Sequence, residues 1–240
     1  KVVAASAALE EKLMDKMSLI NTENGHYSLA NDVTMEDEHK AATMTFQQAL
    51  EQSSNIGFMK ISQKIGPERF YKYARDFGFG ISTGIELPGE NKGILKRPID
   101  FSPISLPYMA IGYEVLINAM QLTSAYSTVA NNGVLLKPYI IKKETGLDGQ
   151  TIFENSPVEI RQVISQNTAK LLSTLMIGVV ETGTATDAQI GGVKIAGKTG
   201  TAQRVVDGKH SSGSHTGSFV GFFPADNPQF LITVILDDPK

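Results

Sequence analysis

The stretch that decides the fold lies near the end of the chain and reads Val193-Lys194-Ile195-Ala196-Gly197-Lys198-Thr199-Gly200-Thr201-Ala202-Gln203-Arg204-Val205-Val206. Its Val and Ile residues favour extended backbone, so the stretch predicts a strand. Two more apolar runs follow, over residues 218–223 and 230–236, and Ala225-Asp226-Asn227-Pro228 between them is a turn signal. The last two strands should therefore pair antiparallel, as part of a three-stranded meander.

Helical signals dominate the chain before this meander. The capping-box spacing of Thr45 with Gln48, and of Asn118 with Gln121, predicts two helix starts. Three more helices are predicted over 56–65, from Pro67 to Gly78, and around the apolar stripe Leu171, Leu172, Leu175, Met176 and Val179. The Gly- and Pro-rich residues 78–115 predict a long ordered loop. Together these signals predict an α/β fold of the α+β type, in which helices pack on both faces of an antiparallel sheet.

Composition excludes several classes of protein. The chain has 240 residues, of which 41% are hydrophobic and 20% charged, as expected of a globular domain with a substantial core. Its net charge of −3 argues against a nucleic-acid binder, which would normally carry a basic surface. With no cysteine, it has neither disulfides nor thiolate metal sites nor a Cys nucleophile.

One motif matches a nucleotide-binding template. Residues 192–199, Gly-Val-Lys-Ile-Ala-Gly-Lys-Thr, have the spacing of a phosphate-binding loop. That loop needs a helix to begin at its Lys, but Gly200 follows closely and Val205-Val206 continue in a strand-like composition. The context therefore argues against nucleotide binding, which would predict protection by ATP against thermal unfolding.

The same Lys opens a motif that is typical of a substrate-binding strand. Lys198-Thr199-Gly200-Thr201 offers a cation, two hydroxyls and a position with no side chain, where a substrate backbone can approach and pair with the strand. The two threonines can hydrogen-bond a carboxylate. Strict alternation places Lys198 and Gly200 on one side of the strand and the threonines on the other, so only a strongly twisted strand would aim all of them into one groove.

Two further features stand earlier in the chain. Ser53-Ser54-Asn55 lies between two apolar helical stretches, and such residues are poor in helix interiors, so the backbone is expected to break there. Lys1 precedes an Ala-rich helix. By contrast, residues 17–44, with the acidic cluster Glu36-Asp37-Glu38, are interpreted as a polar surface excursion.

Taken in order, the Lys, the Ser-x-Asn and the Lys-Thr-Gly match the motif set of the penicillin-recognising serine enzymes. The chain resembles, over essentially all 240 residues, the transpeptidase domain of class B penicillin-binding proteins, the D,D-transpeptidases that cross-link peptidoglycan. The stretches that carry this resemblance include Lys1 to Glu10, Phe77 to Gly80, Thr83 to Glu90, Ile111 to Glu114, Gln121-Leu122, Ala125-Tyr126, Ala130 to Gly133 and Lys198 to Gln203. The Gly112-Tyr113 form is more similar to the division-specific branch than to the elongation branch.

The resemblance implies a β-lactamase-like fold and a serine acyl-enzyme. Lys1 would be the neutral amine that takes the proton of the nucleophile, with Lys198 as a neighbouring positive charge. Ser53 would pass the proton on towards the leaving D-alanine amine, and Asn55 would hold the substrate amide.

The resemblance also implies how the late strand binds substrate. Thr199 and Thr201 would bind the terminal carboxylate that β-lactams mimic, beside Gly200, and the backbone N–H of Thr201 would form half of an oxyanion hole. No cofactor is implied, and the four histidines show no paired spacing for a metal.

One departure from the family pattern is serious. The family's nucleophilic Ser lies three residues before the motif Lys, which here would precede Lys1, and no Ser in this chain is followed three residues later by Lys. The expectation is that residues 1–240 are most of one transpeptidase domain, truncated at both ends, with the nucleophile outside this sequence. Such a segment should be inactive alone.

The expected partners are peptidoglycan stem peptides ending in D-Ala-D-Ala, β-lactam antibiotics as covalent inhibitors, and membrane proteins of division or elongation, but no nucleic acid. The resemblance further implies an extracytoplasmic location, with the parent protein anchored in the cell membrane. Two other functions stay open on the same scaffold. One is a β-lactamase or D,D-carboxypeptidase, although no Glu stands in a setting like the class A deacylation base. The other is a non-catalytic β-lactam sensor or division scaffold.

Overall fold

The structure is a computed structural model, which describes residues 1–29, 33–206 and 209–239. The α-helices are α1 (Val2–Glu10), α2 (Phe46–Glu51), α3 (Asn55–Ile65), α4 (Pro67–Asp76), α5 (Ser105–Ile111), α6 (Ala119–Ala130) and α7 (Gln166–Glu181). The strands are β1 (Leu19–Asn21), β2 (His26–Ser28), β3 (Thr34–Glu36), β4 (Thr43–Thr45), β5 (Ile94–Leu95), β6 (Val115–Leu116), β7 (Val134–Leu136), β8 (Lys143–Thr145), β9 (Thr151–Glu154), β10 (Glu159–Gln162), β11 (Ala196–Val206), β12 (Lys209–Phe223) and β13 (Phe230–Asp237).

The C-terminal meander forms the main sheet, in the order β11-β12-β13 with both pairs antiparallel. Lys198 lies opposite Val220, which in turn lies opposite Thr233. Strand β12 is much longer than the apolar run over 218–223 predicts, because its polar first half also pairs with β11. The mixed α/β fold with an antiparallel sheet is confirmed.

Helices α6 and α7 pack against this sheet, α7 against β11 and α6 against β12 and β13. Ala196, Val220 and Phe222 are buried on one face of the sheet. The alternate positions Ile232 and Val234 point to the other face and remain 48% and 44% exposed. In the described part of the chain, the expected helical cover is therefore seen on the face that carries Val220.

Local sequence signals set most helix ends. Both predicted capping boxes form, at Thr45 with Gln48 and at Asn118 with Gln121. Helix α4 starts at Pro67, whose fixed φ suits the first turn. The prediction of a loop over 78–115 is wrong in part, because this range contains α5, β5 and the start of β6. That helix is only seven residues long and has a Pro within its first turn, which sequence patterns read as a breaker.

Helix α1 runs through the interior, since every residue from Val2 to Leu9 is buried. It packs against α3, α4 and α7. This position places Lys1, the partly buried residue before the helix, at the edge of the protein interior. None of the helices in the described ranges is long and apolar enough to cross a membrane.

Candidate active site

The start of α1 and the break between α2 and α3 meet at the side chain of Lys1. The Lys1 Nζ lies 2.7 Å from Asn55 Oδ1, 2.9 Å from Ser53 Oγ and 2.8 Å from the Ser53 carbonyl oxygen. All three atoms can accept a hydrogen bond from an ammonium group. A neutral amine can instead donate to the two carbonyl oxygens and accept the proton of the Ser53 hydroxyl. The contacts therefore suit a proton transfer between Lys1 and Ser53.

The backbone at the break explains how Ser53 reaches this position. Ser53 has a φ of 56°, in the left-handed region, so the chain turns sharply between the two helices. Ser54 then caps α3, and its hydroxyl accepts a hydrogen bond from the N–H of Gly57 at 2.8 Å. The predicted break is present, and it presents both the hydroxyl and the carbonyl of Ser53 to Lys1.

The carboxylate of Asp37 holds this break in place, although the sequence predicted a surface position for it. Asp37 is only 4% exposed. Its carboxylate accepts hydrogen bonds from the Ser54 hydroxyl at 2.5 Å, from the Asn55 N–H at 2.6 Å and from the Ile56 N–H at 3.1 Å. A negative charge at the first turn of α3 is also favoured by the helix dipole. The interpretation of the acidic cluster as a surface excursion is therefore wrong for Asp37.

The burial of Asp37 follows from alternation beside a short hairpin. Strands β2 and β3 pair antiparallel, and β3 ends at Glu36. Glu36 and Glu38 are exposed, whereas Asp37 between them points inward. The only sequence signal is one carboxylate flanked by two others, and it does not show which of the three faces α3.

The Lys198 side chain lies in the interior beside Thr199. Lys198 is 3% exposed, and its Nζ lies 3.2 Å from the Thr199 carbonyl oxygen and 3.3 Å from Thr199 Oγ1. Neighbours on a flat strand would point in opposite directions, so this contact places the ammonium and the hydroxyl together despite the alternation.

Gly200 lies close to a side chain of the neighbouring strand. A Cβ at Gly200 would lie 2.6 Å from Ser218 Oγ on β12, so a side chain there would require the Ser218 hydroxyl to move. Strand β11 pairs with β12 along one edge and, within the described residues, has no strand partner along the other. Thr201 is exposed on this strand. The free edge can therefore pair with an extended substrate backbone.

All seven predicted site residues line one cleft of about 240 Å³. They are Lys1, Ser53, Asn55, Lys198, Thr199, Gly200 and Thr201. The structure thus brings together three elements that are far apart in the sequence, while the chemical role of each residue remains a prediction. The remaining wall is largely apolar, and such surroundings strengthen electrostatic interactions in the cleft.

Burial changes the acid–base properties of both lysines. It lowers the pKa of Lys1 to about 8, against an opposing effect of the Asp37 charge. Burial also lowers the pKa of Lys198 to about 7, and the positive charge of Lys1 adds to that effect. Lys198 therefore loses its proton near neutral pH, and Lys1 loses its proton at a somewhat higher pH.

The geometry does not fit two other kinds of site. Lys198 lies within strand β11, so no helix begins there as a phosphate-binding loop requires. Among residues 1–29, 33–206 and 209–239, no cluster of three or more His, Asp or Glu side chains could hold a metal ion.

Comparisons with known proteins show the family of this chain. Residues 1–240 match the family described as penicillin binding protein transpeptidase domain. The chain is 35% identical over 242 residues to stage V sporulation protein D of Bacillus subtilis, and covers 38% of that protein. It is 31% identical over 204 residues, or 85% of its own length, to the probable peptidoglycan D,D-transpeptidase PenA of Neisseria gonorrhoeae, and covers 33% of it.

A solved structure shows the same fold. Penicillin-binding protein 3 from Mycobacterium tuberculosis, complexed with aztreonam, superimposes with a TM-score of 0.92 at 33% identity. The match covers 99% of this chain and 55% of that one, so the chain spans only part of the length of these relatives. The motif set, the cleft and the family match lead to one conclusion: the chain belongs to the penicillin-binding protein transpeptidase domain family, and the resemblance to its class B members is confirmed.

Proposed function

We propose that the full natural chain containing residues 1–240 is a peptidoglycan D,D-transpeptidase that works through a serine acyl-enzyme. The observation that carries this proposal is the set of hydrogen bonds from Lys1 Nζ to Ser53 and Asn55, inside the cleft that Lys198 and Thr199 also line. The nucleophile would be a Ser three residues before Lys1, as the family pattern implies.

In the acylation step, the Ser oxygen attacks the carbonyl carbon of the peptide bond between the last two D-alanines. Neutral Lys1 takes the proton of the Ser hydroxyl as the new C–O bond forms. The C–N bond then breaks, and the leaving amine of D-alanine receives a proton through Ser53, which Lys1 replenishes. Positioned proton transfer of this kind typically contributes about 10²–10⁴-fold to the rate.

In the second step, an amine on a neighbouring stem peptide attacks the acyl-enzyme ester. The new amide bond forms as the Ser oxygen leaves with a proton, so the enzyme returns to its starting state. Asn55 holds the amide of the donor peptide, and the backbone N–H of Thr201 supports the oxyanion. Thr199 and Thr201 hold the terminal carboxylate of the donor before D-alanine departs.

The properties of relatives support a donor site that β-lactams also occupy. The mycobacterial penicillin-binding protein 3 was solved with aztreonam and with ampicillin. Several relatives carry the description probable peptidoglycan D,D-transpeptidase. We extend both properties to this chain, so that β-lactams are covalent inhibitors and stem peptides ending in D-Ala-D-Ala are substrates.

The cellular setting belongs to the same proposal. Substrate of this kind lies outside the cytoplasmic membrane, which favours an extracytoplasmic location and a membrane-anchored parent. A division-type role, with membrane proteins of cell division as partners, is favoured over elongation by the Gly112-Tyr113 form.

The test is exchange of the terminal D-alanine. The full natural chain is incubated with a stem peptide ending in D-Ala-D-Ala and an isotope-labelled D-amino acid, and the products are followed by mass spectrometry. A transpeptidase yields peptide that carries the label. Release of D-alanine without label incorporation would show a carboxypeptidase, and the absence of both products would contradict an enzymatic role.

A further inference from the structure

We infer that Thr184 is a positioning residue for carboxylate recognition, because its hydroxyl donates to Thr199 and leaves the Thr199 proton free for the substrate carboxylate. Thr184 lies in the turn after α7 and is not part of the motif set. The inference rests on the proposed function, since it assumes that Thr199 binds a carboxylate.

The hydroxyl oxygens of Thr184 and Thr199 lie 2.8 Å apart, within hydrogen-bond distance. Thr199 Oγ1 also lies 3.3 Å from Lys198 Nζ, which donates to it when charged. A hydroxyl has one proton and two lone pairs. When one lone pair of the Thr199 hydroxyl accepts from Lys198 and the other accepts from Thr184, the Thr199 proton must point away from both. It can then point into the cleft, where the substrate carboxylate would lie.

The alternative arrangement would work against binding. If Thr199 donated to Thr184, its only proton would be used, and its oxygen would face the carboxylate with lone pairs alone. Two acceptors repel each other. Within the described residues, Thr184 Oγ1 has no hydrogen-bond partner besides Thr199, so nothing else in the protein competes for its proton.

Backbone hydrogen bonds hold the turn that carries Thr184. The Thr184 N–H donates to the carbonyl oxygen of Glu51 at 3.1 Å, and the Ala185 N–H donates to Val179 at 3.0 Å. Gly183 allows the close approach, since a Cβ there would lie 2.4 Å from the Glu51 carbonyl oxygen.

Glu51 is the last residue of α2, two positions before Ser53. Thr184 therefore links two elements of the site. Its N–H binds the end of α2, close to Ser53, and its hydroxyl binds Thr199 on strand β11. A change at Thr184 acts on substrate through Thr199 and needs no contact of its own.

The test compares the variants Thr184→Val and Thr184→Ser in the full natural chain. Val keeps the branched shape without the hydroxyl, and Ser keeps the hydroxyl. The matched control is Thr123→Val, because Thr123 and Thr233 form another hydroxyl pair at 2.8 Å, between α6 and β13 and outside the residues that line the cleft. Each variant is acylated with benzylpenicillin and with its methyl ester, which lacks the carboxylate charge, and melting temperatures verify folding.

Thr184→Val should slow acylation by benzylpenicillin about ten-fold, in line with the loss of one hydrogen bond that supports a charged group. The variant should need a higher benzylpenicillin concentration for half-maximal acylation, while the limiting acylation rate constant stays unchanged. The methyl ester should acylate the variant as fast as the wild type. Thr184→Ser should restore the acid-to-ester ratio, and Thr123→Val should not change it.

Equal slowing of acid and ester, or a Ser variant as slow as the Val variant, would overturn the role of Thr184. If the unchanged chain is acylated by neither compound, the proposed function fails as well. These outcomes separate the two claims. The role of Thr184 can fail only when the wild-type chain is acylated, whereas the proposed function fails when the wild-type chain is not acylated at all.

Discussion

The Nζ atom of Lys1 lies 2.9 Å from the hydroxyl oxygen of Ser53, 52 residues away in the chain. The contact joins the buried start of α1 to the sharp turn between α2 and α3. Because the same Nζ also reaches Asn55 Oδ1 at 2.7 Å, the two polar side chains fix the amine in one orientation. A base held in this way can receive a proton and pass it on without rearrangement.

Replacing Ser53 by Ala should slow β-lactam acylation by about 10²-fold or more, since it removes the partner that exchanges a proton with Lys1. The measurement is the second-order rate of acylation of the full natural chain. Ser62→Ala is the matched control on α3, because the Ser62 hydroxyl donates to the Met59 carbonyl oxygen within its own helix. Similar rates for the two variants would contradict the proton-transfer role.

Replacing Asp37 by Asn should destabilise the protein by about 1–3 kcal/mol, because it weakens three hydrogen bonds to a buried carboxylate at the start of α3. The measurement is denaturant unfolding monitored by circular dichroism. The neighbouring Glu38 is exposed, so Glu38→Gln serves as a control for loss of one negative charge and should change the stability by less than about 0.5 kcal/mol. Equal stability of both variants would show that the contacts of Asp37 contribute little.

The contrast between Asp37 and the predicted motifs shows what the sequence could supply. The capping boxes and the apolar stripe of α7 depend on residues three or four positions apart, and they predicted helices that the structure contains. The seven motif residues were found by their order and type along the chain. Family resemblance, not periodicity, indicated that they meet.

Asp37 and Thr184 could not be found in that way. Asp37 acts on groups 17 to 19 residues away, and its inward direction depends on the packing of a short hairpin against α3. Thr184 depends on a backbone contact with Glu51, far away in the sequence. Neither relationship leaves a local pattern, since each arises from how two distant segments pack.

The acylation rate should rise with pH between about 6 and 8. Burial lowers the pKa of Lys1 to about 8, so the neutral amine that accepts the Ser proton becomes more abundant, by about ten-fold per pH unit below that pKa. The negative charge of Asp37 opposes this lowering, so Asp37→Asn should move the rising limb to lower pH. The measurement is the pH profile of the acylation rate constant for benzylpenicillin. A flat profile, or one that falls over this range, would exclude Lys1 as the base.

Stability should also depend on pH through Lys198. Burial lowers its pKa to about 7, whereas an unfolded lysine titrates near pH 10.4. Between these values the unfolded chain binds more protons than the folded chain, so the contribution of Lys198 to the free energy of unfolding becomes more favourable as the pH rises. The stability of the wild type relative to Lys198→Met should therefore increase from pH 7 to pH 10. A difference that stays constant across this range would contradict a buried, readily deprotonated Lys198.

The most direct test of the serine acyl-enzyme is the intact mass of the full natural chain during incubation with benzylpenicillin. The expected result is the addition of one penicillin per chain, on a Ser three residues before Lys1, with an adduct that persists long after free penicillin is removed. Rapid loss of the adduct with turnover of penicillin would indicate a hydrolase. The absence of any adduct, or its attachment elsewhere in the chain, would contradict the proposed chemistry of the cleft.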